Sequence, residues 1–422
     1  MKKRLVIGLT VFVLVVGILT YALAADGKLS GNIFSSLLPQ NTVTITQEEY
    51  ERYQKYAKIE EIYEYLVNYY YIEPDEDAMM EWAINGMMAA LDDPYTFYYN
   101  EEAWAELWES DEGEYAGIGI QLLINYSTDI VTISRVFKDT PAENAGLRRG
   151  DVLKRVDDLE VTSTTASEAV DIMRGHVDEI AEIEVERKGE TIVFQIPRAE
   201  IKVNWIESTM LENDVGYICL YEFAGDCDTA FSEALANLEA EGAKALIIDL
   251  RDNGGGWVDA ALSIADHFLD EQVFFYAEDR AGVRETYNTK DGKDDIPLVV
   301  LVNEGSASSS EILSGGLQDA GRATLVGTKT YGKGIMQNVV TLSGGTDGIQ
   351  FTVMQYYMPS AKAVHKIGIT PDIEESMPDE YVGAYFELGD MTDPQLHRAW
   401  EEAVKLLEDA GEAEAADNAS AA

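Results

Sequence analysis

Residues 297–319, PLVVLVNEGSASSSEILSGGLQD, decide the fold of the largest part of this chain. An apolar run at 297–302 reads as a buried strand, and residues 309–319 read as a helix. A buried strand that leads through a turn into a helix is the repeating unit of a parallel or mixed sheet covered by helices. In such sheets, sites lie where strands end. The Ser-rich turn at 303–311 is therefore the first place to look for chemistry.

The same alternation continues on both sides of this segment. Residues 245–250 form another apolar strand, and a helical pattern follows at 257–269. We predict an α/β core over residues 201–378. Before it, residues 114–200 change to short strands, with a hairpin around Lys188-Gly189, which is typical of one small β-rich module.

Residues 47–113 have helical periodicity. Two sets of apolar residues each fall on one face: Ile59, Ile62, Tyr63, Leu66 and Tyr70, and then Met80, Ile84, Met87 and Leu91. We expect these faces to pack inside the chain, and a homodimer contact through the terminal helices is the alternative. At the other end we predict a helix over residues 379–410 and a disordered, low-complexity tail over 411–422.

The N-terminal residues have the pattern of a targeting segment. Lys2, Lys3 and Arg4 precede an apolar run at 5–24 that ends in an A-x-A-like site. This is the pattern of a signal peptide or a membrane anchor, which a tether at 25–46 would follow. Positive charges before the run keep that end in the cytoplasm, so we expect the rest of the protein to be extracytoplasmic. The membrane would be contacted only through this segment.

Charge and cysteine content exclude several classes. A formal net charge of −46 opposes binding to nucleic acid. The two cysteines, Cys219 and Cys227, are too few for a disulfide framework in a chain of this size. None of the four histidines has metal-ligand spacing, and there is no G-x-S-x-G elbow. We expect no metal and no other cofactor.

Two segments could carry nucleophilic chemistry. A serine such as Ser308, at a helix N-terminus, lies in the positive end of the helix dipole, although serine also caps helices routinely. Lys333 lies between two glycines, which is compatible with a plain turn or with a base whose pKa is lowered by burial. In a regular strand Gln337 would share the face of Lys333 and could orient its amine.

A third segment is the run Asp249-Leu250-Arg251-Asp252-Asn253-Gly254-Gly255-Gly256. Three glycines after a strand expose backbone N–H groups, which could form an oxyanion hole or a phosphate cradle. The run lacks the Lys-Ser/Thr of a P-loop, so the oxyanion hole is the better interpretation.

These three segments, in this order, resemble the carboxy-terminal processing peptidases, or tail-specific proteases. The stretches LIIDLRDNGGG, NEGSASSSEILSGGLQDAGRATLVG, TYGKGIMQ and HKIGITPDI look like that family's core. The family's nucleophile precedes its lysine by 25 residues, and an orienting glutamine follows four later, as Ser308, Lys333 and Gln337 do. The resemblance implies a ClpP/crotonase-like αβ spiral core, and an oxyanion hole from the N–H groups of Gly254 and Ser309.

The resemblance also covers the β-rich module, which looks like an inserted PDZ domain. It implies that Gly117, Ile118, Gly119 and Ile120 form a loop that grips the terminal carboxylate of a protein or peptide substrate. In some members a PDZ arginine contacts the catalytic strand, and Arg174 is the candidate here. The chain departs from the family at Ser309, where alanine is common, and at Tyr95, where histidine is common.

The resemblance therefore implies a serine endopeptidase with a Ser–Lys dyad that cleaves proteins near their C-termini. Two rivals remain. One is a PDZ scaffold with an inactive core, which the dyad spacing disfavours. The other is an acyl-CoA enzyme on a similar spiral, which the acidity of the chain and the PDZ module disfavour.

Overall fold

A computed structural model describes residues 45–420 apart from 126–127, 291, 293, 379–380 and 382–385, with side chains as far as residue 410. The chain forms two compact units, residues 1–80 and 81–422. The apolar run at 5–24 and nearly all of the tether lie outside the described residues. No helix within the described ranges has both the length and the apolar character needed to cross a bilayer.

The first unit contains helix α1, Gln47–Tyr69. Thr46 caps it reciprocally: its hydroxyl accepts from the Glu49 N–H, and the Glu49 carboxylate accepts from the Thr46 N–H. The helix buries none of its residues. Within this unit the apolar face that includes Ile59 and Ile62 is exposed, so the unit by itself does not provide the packing that we predicted for this face. The homodimer alternative stays a prediction.

The elements that follow are those of an α/β protein with a β-rich insertion. Beyond α1 the described helices are α2 (Glu76–Ala89), α3 (Glu101–Glu112), α4 (Pro141–Ala145), α5 (Ala166–Met173), α6 (Cys227–Glu241), α7 (Val258–Ala265), α8 (Ser309–Asp319) and α9 (Pro394–Ser420). The strands are β1 (Phe97–Tyr99), β2 (Glu114–Gly117), β3 (Ile120–Asn125), β4 (Ile130–Val136), β5 (Val152–Val156), β6 (Leu159–Glu160), β7 (Ile180–Arg187), β8 (Glu190–Pro197), β9 (Ala199–Lys202), β10 (Ile206–Leu211), β11 (Val215–Leu220), β12 (Ala245–Asp249), β13 (Val273–Asp279), β14 (Arg284–Asn288), β15 (Leu298–Val302), β16 (Thr324–Gly327), β17 (Ile335–Thr341), β18 (Gly348–Tyr357) and β19 (Ile373–Glu374).

A six-stranded sheet forms the core, in the order β10-β11-β12-β15-β16-β19. Its neighbouring strands are parallel except for the antiparallel pair β10 and β11. One face, with Ile248 and Val300, packs in the cluster that contains α6, α7 and α8. The other face, with Ile247 and Val299, packs against α9. Burial on both faces explains the continuous apolar runs of the central strands, and the predicted α/β core is confirmed.

A second sheet, in the order β1-β18-β13-β14, carries β17 on β18. Phe97 lies opposite Gln350, and Ile335 lies opposite Gln355. The sheet therefore brings the loop before β1 close to the strand that follows Lys333.

The inserted module is an antiparallel sheet, β3-β4-β5-β7-β8, with β6 on β5. Its buried residues form a core of their own with α4 and α5. The predicted hairpin is confirmed: β7 and β8 are joined by Lys188 and Gly189, both in the left-handed region. The module is attached through the ribbon of β2 and β9, and β9 ends at Lys202, just past the predicted boundary at 200.

The C-terminal helix differs from the prediction at both ends. It begins at Pro394 rather than near 379, because residues 388–393 form turns and proline suits the first turn of a helix. It continues to Ser420, through most of the segment predicted to be disordered. Alanine and glutamate, which dominate that segment, have high helix propensity.

Candidate active site

Ser308 lies between β15 and the first residue of α8. The turn before it is held from the neighbouring strand end: the Ser306 hydroxyl donates to the Leu250 carbonyl at 2.7 Å, and the Ala307 N–H donates to the Asn253 carbonyl at 3.0 Å. Ser308 itself has φ 56° and ψ −117°. A non-glycine residue seldom adopts such a φ, and it persists only where the surroundings determine the backbone.

Glu311 joins the Ser308 segment to the Lys333 segment. Its Oε2 accepts the N–H groups of Ser308 at 3.0 Å and Lys333 at 2.8 Å. Its Oε1 accepts the Gly332 N–H at 2.8 Å and the Thr330 hydroxyl at 2.6 Å. The two backbone nitrogens thus lie within two hydrogen-bond lengths of each other. Glu311 is completely buried, and burial raises the pKa of its carboxyl group even though four donors oppose the shift.

Tyr356 makes a second connection. Its hydroxyl lies 2.8 Å from the carbonyl oxygen of Lys333 and 3.2 Å from that of Ser308. Tyr356 is also fully buried. Neither connecting residue was predicted from the sequence. Ser308-x-x-Glu311 is a capping-box pattern that could have signalled Glu311, whereas Tyr356 has no local signal.

The Lys333 side chain is half-buried, and its Nζ lies 4.5 Å from the centre of the Tyr95 ring. Burial lowers the pKa of Lys333, while the carboxylates of Asp93 and Glu311 oppose that shift. Within the described part of the chain, no hydrogen bond joins Lys333 Nζ to Ser308 Oγ. The fold therefore brings the two backbone segments together, but the predicted contact between the two side chains is not formed.

Gln337 is not aligned with Lys333 as a regular strand would align it. Strand β17 begins only at Ile335, and a bulge interrupts its register between Met336 and Gln337. The Gln337 amide donates instead to Thr352 Oγ1 at 3.2 Å. The expectation that the two residues share a strand face is wrong, because a bulge changes the direction of the side chains that follow it.

The glycine turn lies directly against Ser308. A Cβ atom added to Gly255 would be 2.6 Å from Ser308 Cβ and 2.8 Å from the Ala307 carbonyl oxygen. Among the described residues, no protein group accepts a hydrogen bond from the N–H of Gly254 or of Ser309. Two unpaired donors beside a serine can bind the oxygen of a developing anion.

Replacing Gly255 by alanine should destabilise the fold by about 2 kcal/mol or more, since the site combines a φ of +104° with these short contacts. Urea denaturation measures the loss. Gly254→Ala is the matched control, because its added Cβ meets nothing within 4 Å. Equal stability of the two variants would contradict the close approach of the turn to Ser308.

A cleft of about 310 Å³ is lined by residues of β3 and α5 in the module and, outside the module, by residues that include Tyr221 and Glu222. Gly117, Ile118, Gly119 and Ile120 all line it. No acceptor among the described residues takes the N–H of Ile118 or Gly119. The cleft therefore offers unpaired backbone donors at one end of an apolar groove, as carboxylate recognition requires.

Arg174 contacts helix α3. Its Nη1 lies 2.9 Å from Glu109 Oε2, and its guanidinium lies 5.1 Å from the centre of the Tyr115 ring. The same helix reaches the residue after the glycine turn: the Trp257 ring stacks on Trp108, with centroids 6.1 Å apart, and its Nε1 donates to Asp111. In this structure Arg174 therefore lies against α3 and not against the strand that follows Lys333.

This combination of core and insertion defines a class of peptidase. Residues 214–375 match peptidase family S41, residues 132–187 match a PDZ domain, and residues 19–103 match the N-terminal domain of the activating protease CtpB. Among solved structures, a photosystem II D1 C-terminal processing protease has a TM-score of 0.54 at 28% identity, covering 83% of this chain and 100% of that one. An S41 protease from Bacteroides fragilis, 18% identical, shares the fold with the same TM-score and covers 87% of this chain and 99% of that one.

Two curated relatives indicate which group of S41 peptidases the chain belongs to. The carboxy-terminal-processing protease of Bartonella bacilliformis is 33% identical, covering 84% of this chain and 83% of that protein. The carboxyl-terminal-processing protease of a Picosynechococcus species is 36% identical over 75% and 77% of the two chains. The chain belongs to the carboxy-terminal processing proteases of peptidase family S41, and the predicted fold, an αβ core with an inserted PDZ domain, is confirmed.

Proposed function

We propose that this protease is a serine endopeptidase in which Ser308 is the nucleophile and Lys333 is the general base, and that it cleaves proteins near their C-termini. The observation that carries the proposal is the arrangement around Glu311. One buried carboxylate holds the backbones of Ser308 and Lys333 together, beside two unpaired N–H groups.

In the proposed mechanism neutral Lys333 takes the proton of Ser308 as Oγ attacks a peptide carbonyl carbon. The N–H groups of Gly254 and Ser309 stabilise the resulting oxyanion. The C–N bond then breaks, and the leaving amine takes the proton from Lys333. Water hydrolyses the acyl-enzyme with Lys333 again acting as base. Gln337 would orient the lysine amine after a rotation that releases it from Thr352.

The PDZ domain would select the substrate. Residues 117–120 would bind a free C-terminal carboxylate through backbone N–H groups, and the peptide would add as a strand to β3. Arg174 is the candidate for relaying occupancy of the groove, through its contact with α3. The basic residues before the apolar run at 5–24 support a location outside the cytoplasm.

The test compares two fluorogenic peptides of one sequence, one with a free C-terminus and one with a C-terminal amide. We expect the amide to reduce kcat/KM by about tenfold or more, because charge-assisted hydrogen bonds to the loop are lost. Ser308→Ala should cleave neither peptide.

Each alternative outcome has a distinct meaning. Equal rates for the two peptides would show that the protease does not recognise the terminal carboxylate. Cleavage by Ser308→Ala would remove the assigned nucleophile. Binding of the free peptide without cleavage by the wild-type protein would identify a peptide-binding platform instead of an enzyme.

A further inference from the structure

The loop at residues 92–96 brings an aromatic ring to Lys333 from a distant part of the sequence. Hydrogen bonds within the loop hold it: the Asp93 carboxylate accepts the Tyr95 N–H at 3.0 Å and the Thr96 hydroxyl at 2.7 Å. The Gln350 side chain on β18 donates to the Tyr95 carbonyl at 3.2 Å. The position of the Tyr95 ring is therefore set by the backbone and by the neighbouring strand.

The ring is placed to bind a cation. Lys333 Nζ lies 4.5 Å from its centre, within the range of about 6 Å in which an ammonium group and an aromatic face attract each other. Burial, together with the Tyr331 hydroxyl at 3.4 Å, raises the pKa of Tyr95 to about 12, so the ring is neutral at physiological pH. A neutral amine would gain much less from this position than an ammonium group does.

Two neighbouring carboxylates also favour the ammonium form of Lys333. Burial is the largest influence and lowers the pKa of Lys333, while the carboxylates of Asp93, from the loop, and Glu311, from α8, favour its protonated form and limit that shift. His365 lies next to Gly334 and interacts electrostatically with Asp93, and burial lowers the pKa of its ring. The Tyr95 ring and the two carboxylates therefore favour the ammonium form against the larger effect of burial, at a place where the amine makes no hydrogen bond to Ser308.

We propose that Tyr95 is a positioning residue that holds the Lys333 amine over its ring as an ammonium ion, so that the amine must leave the ring and lose its proton before it can act on Ser308. This inference rests on the proposed role of Lys333 as the base. It assigns a purpose to the ring at position 95 that neither the PDZ domain nor the Ser–Lys pair explains.

The first test is the pH dependence of kcat/KM. Removing a group that favours the ammonium form lowers the pKa of Lys333, so the acid limb should move to lower pH. For Tyr95→Leu, which keeps apolar volume but has no ring, we expect a shift of about 0.5–1.5 pH units, with the alkaline plateau unchanged. Tyr95→Phe, which keeps the ring, should have the same acid limb as the wild-type protein.

The second test measures the amine directly and does not depend on cleavage. In the Ser308→Ala protein, the rate at which an amine-reactive acetylating reagent labels Lys333 is followed against pH by peptide mapping. The labelling midpoint should fall by the same amount in Tyr95→Leu. Melting temperature checks folding, and Tyr95→Met replaces the leucine variant if that variant does not fold.

The outcomes separate the two proposals. If the acid limb of kcat/KM and the pH midpoint of Lys333 labelling stay unchanged or move to higher pH in Tyr95→Leu, Tyr95 does not have the proposed role. A midpoint that falls while Lys333→Ala still cleaves at the wild-type rate would leave Tyr95 as a cation-binding ring but would reject Lys333 as the base.

Discussion

Lys333→Ala should lower kcat/KM for peptide cleavage by about 10³-fold or more, the magnitude expected when a general base is removed. Without the amine, the Ser308 hydroxyl has no group to take its proton, and its alkoxide is not accessible at neutral pH. The fold should survive, because the hydrogen bonds that hold the Lys333 segment come from its backbone N–H and carbonyl groups. Steady-state kinetics together with a urea denaturation curve measure both parts of this expectation.

Two further variants make the result specific. Lys329→Ala removes an exposed lysine four residues earlier and should retain wild-type kinetics. Lys333→Arg should be as inactive as Lys333→Ala, because arginine stays protonated in proteins and its guanidinium cannot accept the proton. An active arginine variant would show that position 333 needs a positive charge and not a base.

Glu311→Ala is expected to be the most destabilising single change in the core. It leaves four donors without their acceptor: the N–H groups of Ser308, Gly332 and Lys333, and the Thr330 hydroxyl. Unmet hydrogen-bonding groups in the interior cost about 1–3 kcal/mol each, and partial relaxation makes a total loss of about 3–5 kcal/mol reasonable. Activity should disappear as well, since nothing else accepts both the Ser308 and Lys333 N–H groups.

Glu304→Ala provides the comparison. Glu304 lies in the same segment but is exposed, and its carboxylate accepts a hydrogen bond from the Thr328 hydroxyl. We expect its loss to change the free energy of unfolding by less than about 1 kcal/mol. If Glu311→Ala were no more harmful than Glu304→Ala, the buried carboxylate would not be the group that assembles the site.

Local patterns were sufficient to predict the frame of the protein. The apolar run predicted at 297–302 contains β15, and the glycine-flanked Lys333 lies in the irregular connection just before β17. The hairpin at Lys188-Gly189 and the alternation of strands and helices in the core follow from periodicity and turn chemistry. These features depend on residues that are close in sequence, which is why they could be read from it.

The features that were missed depend on contacts between distant segments. Tyr95 reaches Lys333, and Tyr356 reaches both Ser308 and Lys333, only because the second sheet places β1, β17 and β18 side by side. The misaligned Gln337 has a different cause, since a bulge displaces the period of a strand without leaving a mark in composition. The ends of helix α9 differ from the prediction because polarity does not distinguish the turn before Pro394 from a helix, or the helical Glu/Ala-rich end from disorder.

Helix α3 contacts the inserted domain through Glu109. It also contacts Trp257, beside the glycine turn, through Trp108 and Asp111. If this shared support transmits strain, thermodynamic reciprocity fixes how the two ends influence each other. If a C-terminal tail bound in the PDZ groove raises the affinity of the active site for a substrate segment by some factor, an inhibitor bound at the active site must raise the affinity of the groove for the tail by the same factor. An active-site inhibitor that never enters the groove would then lengthen the residence of a tail peptide bound there.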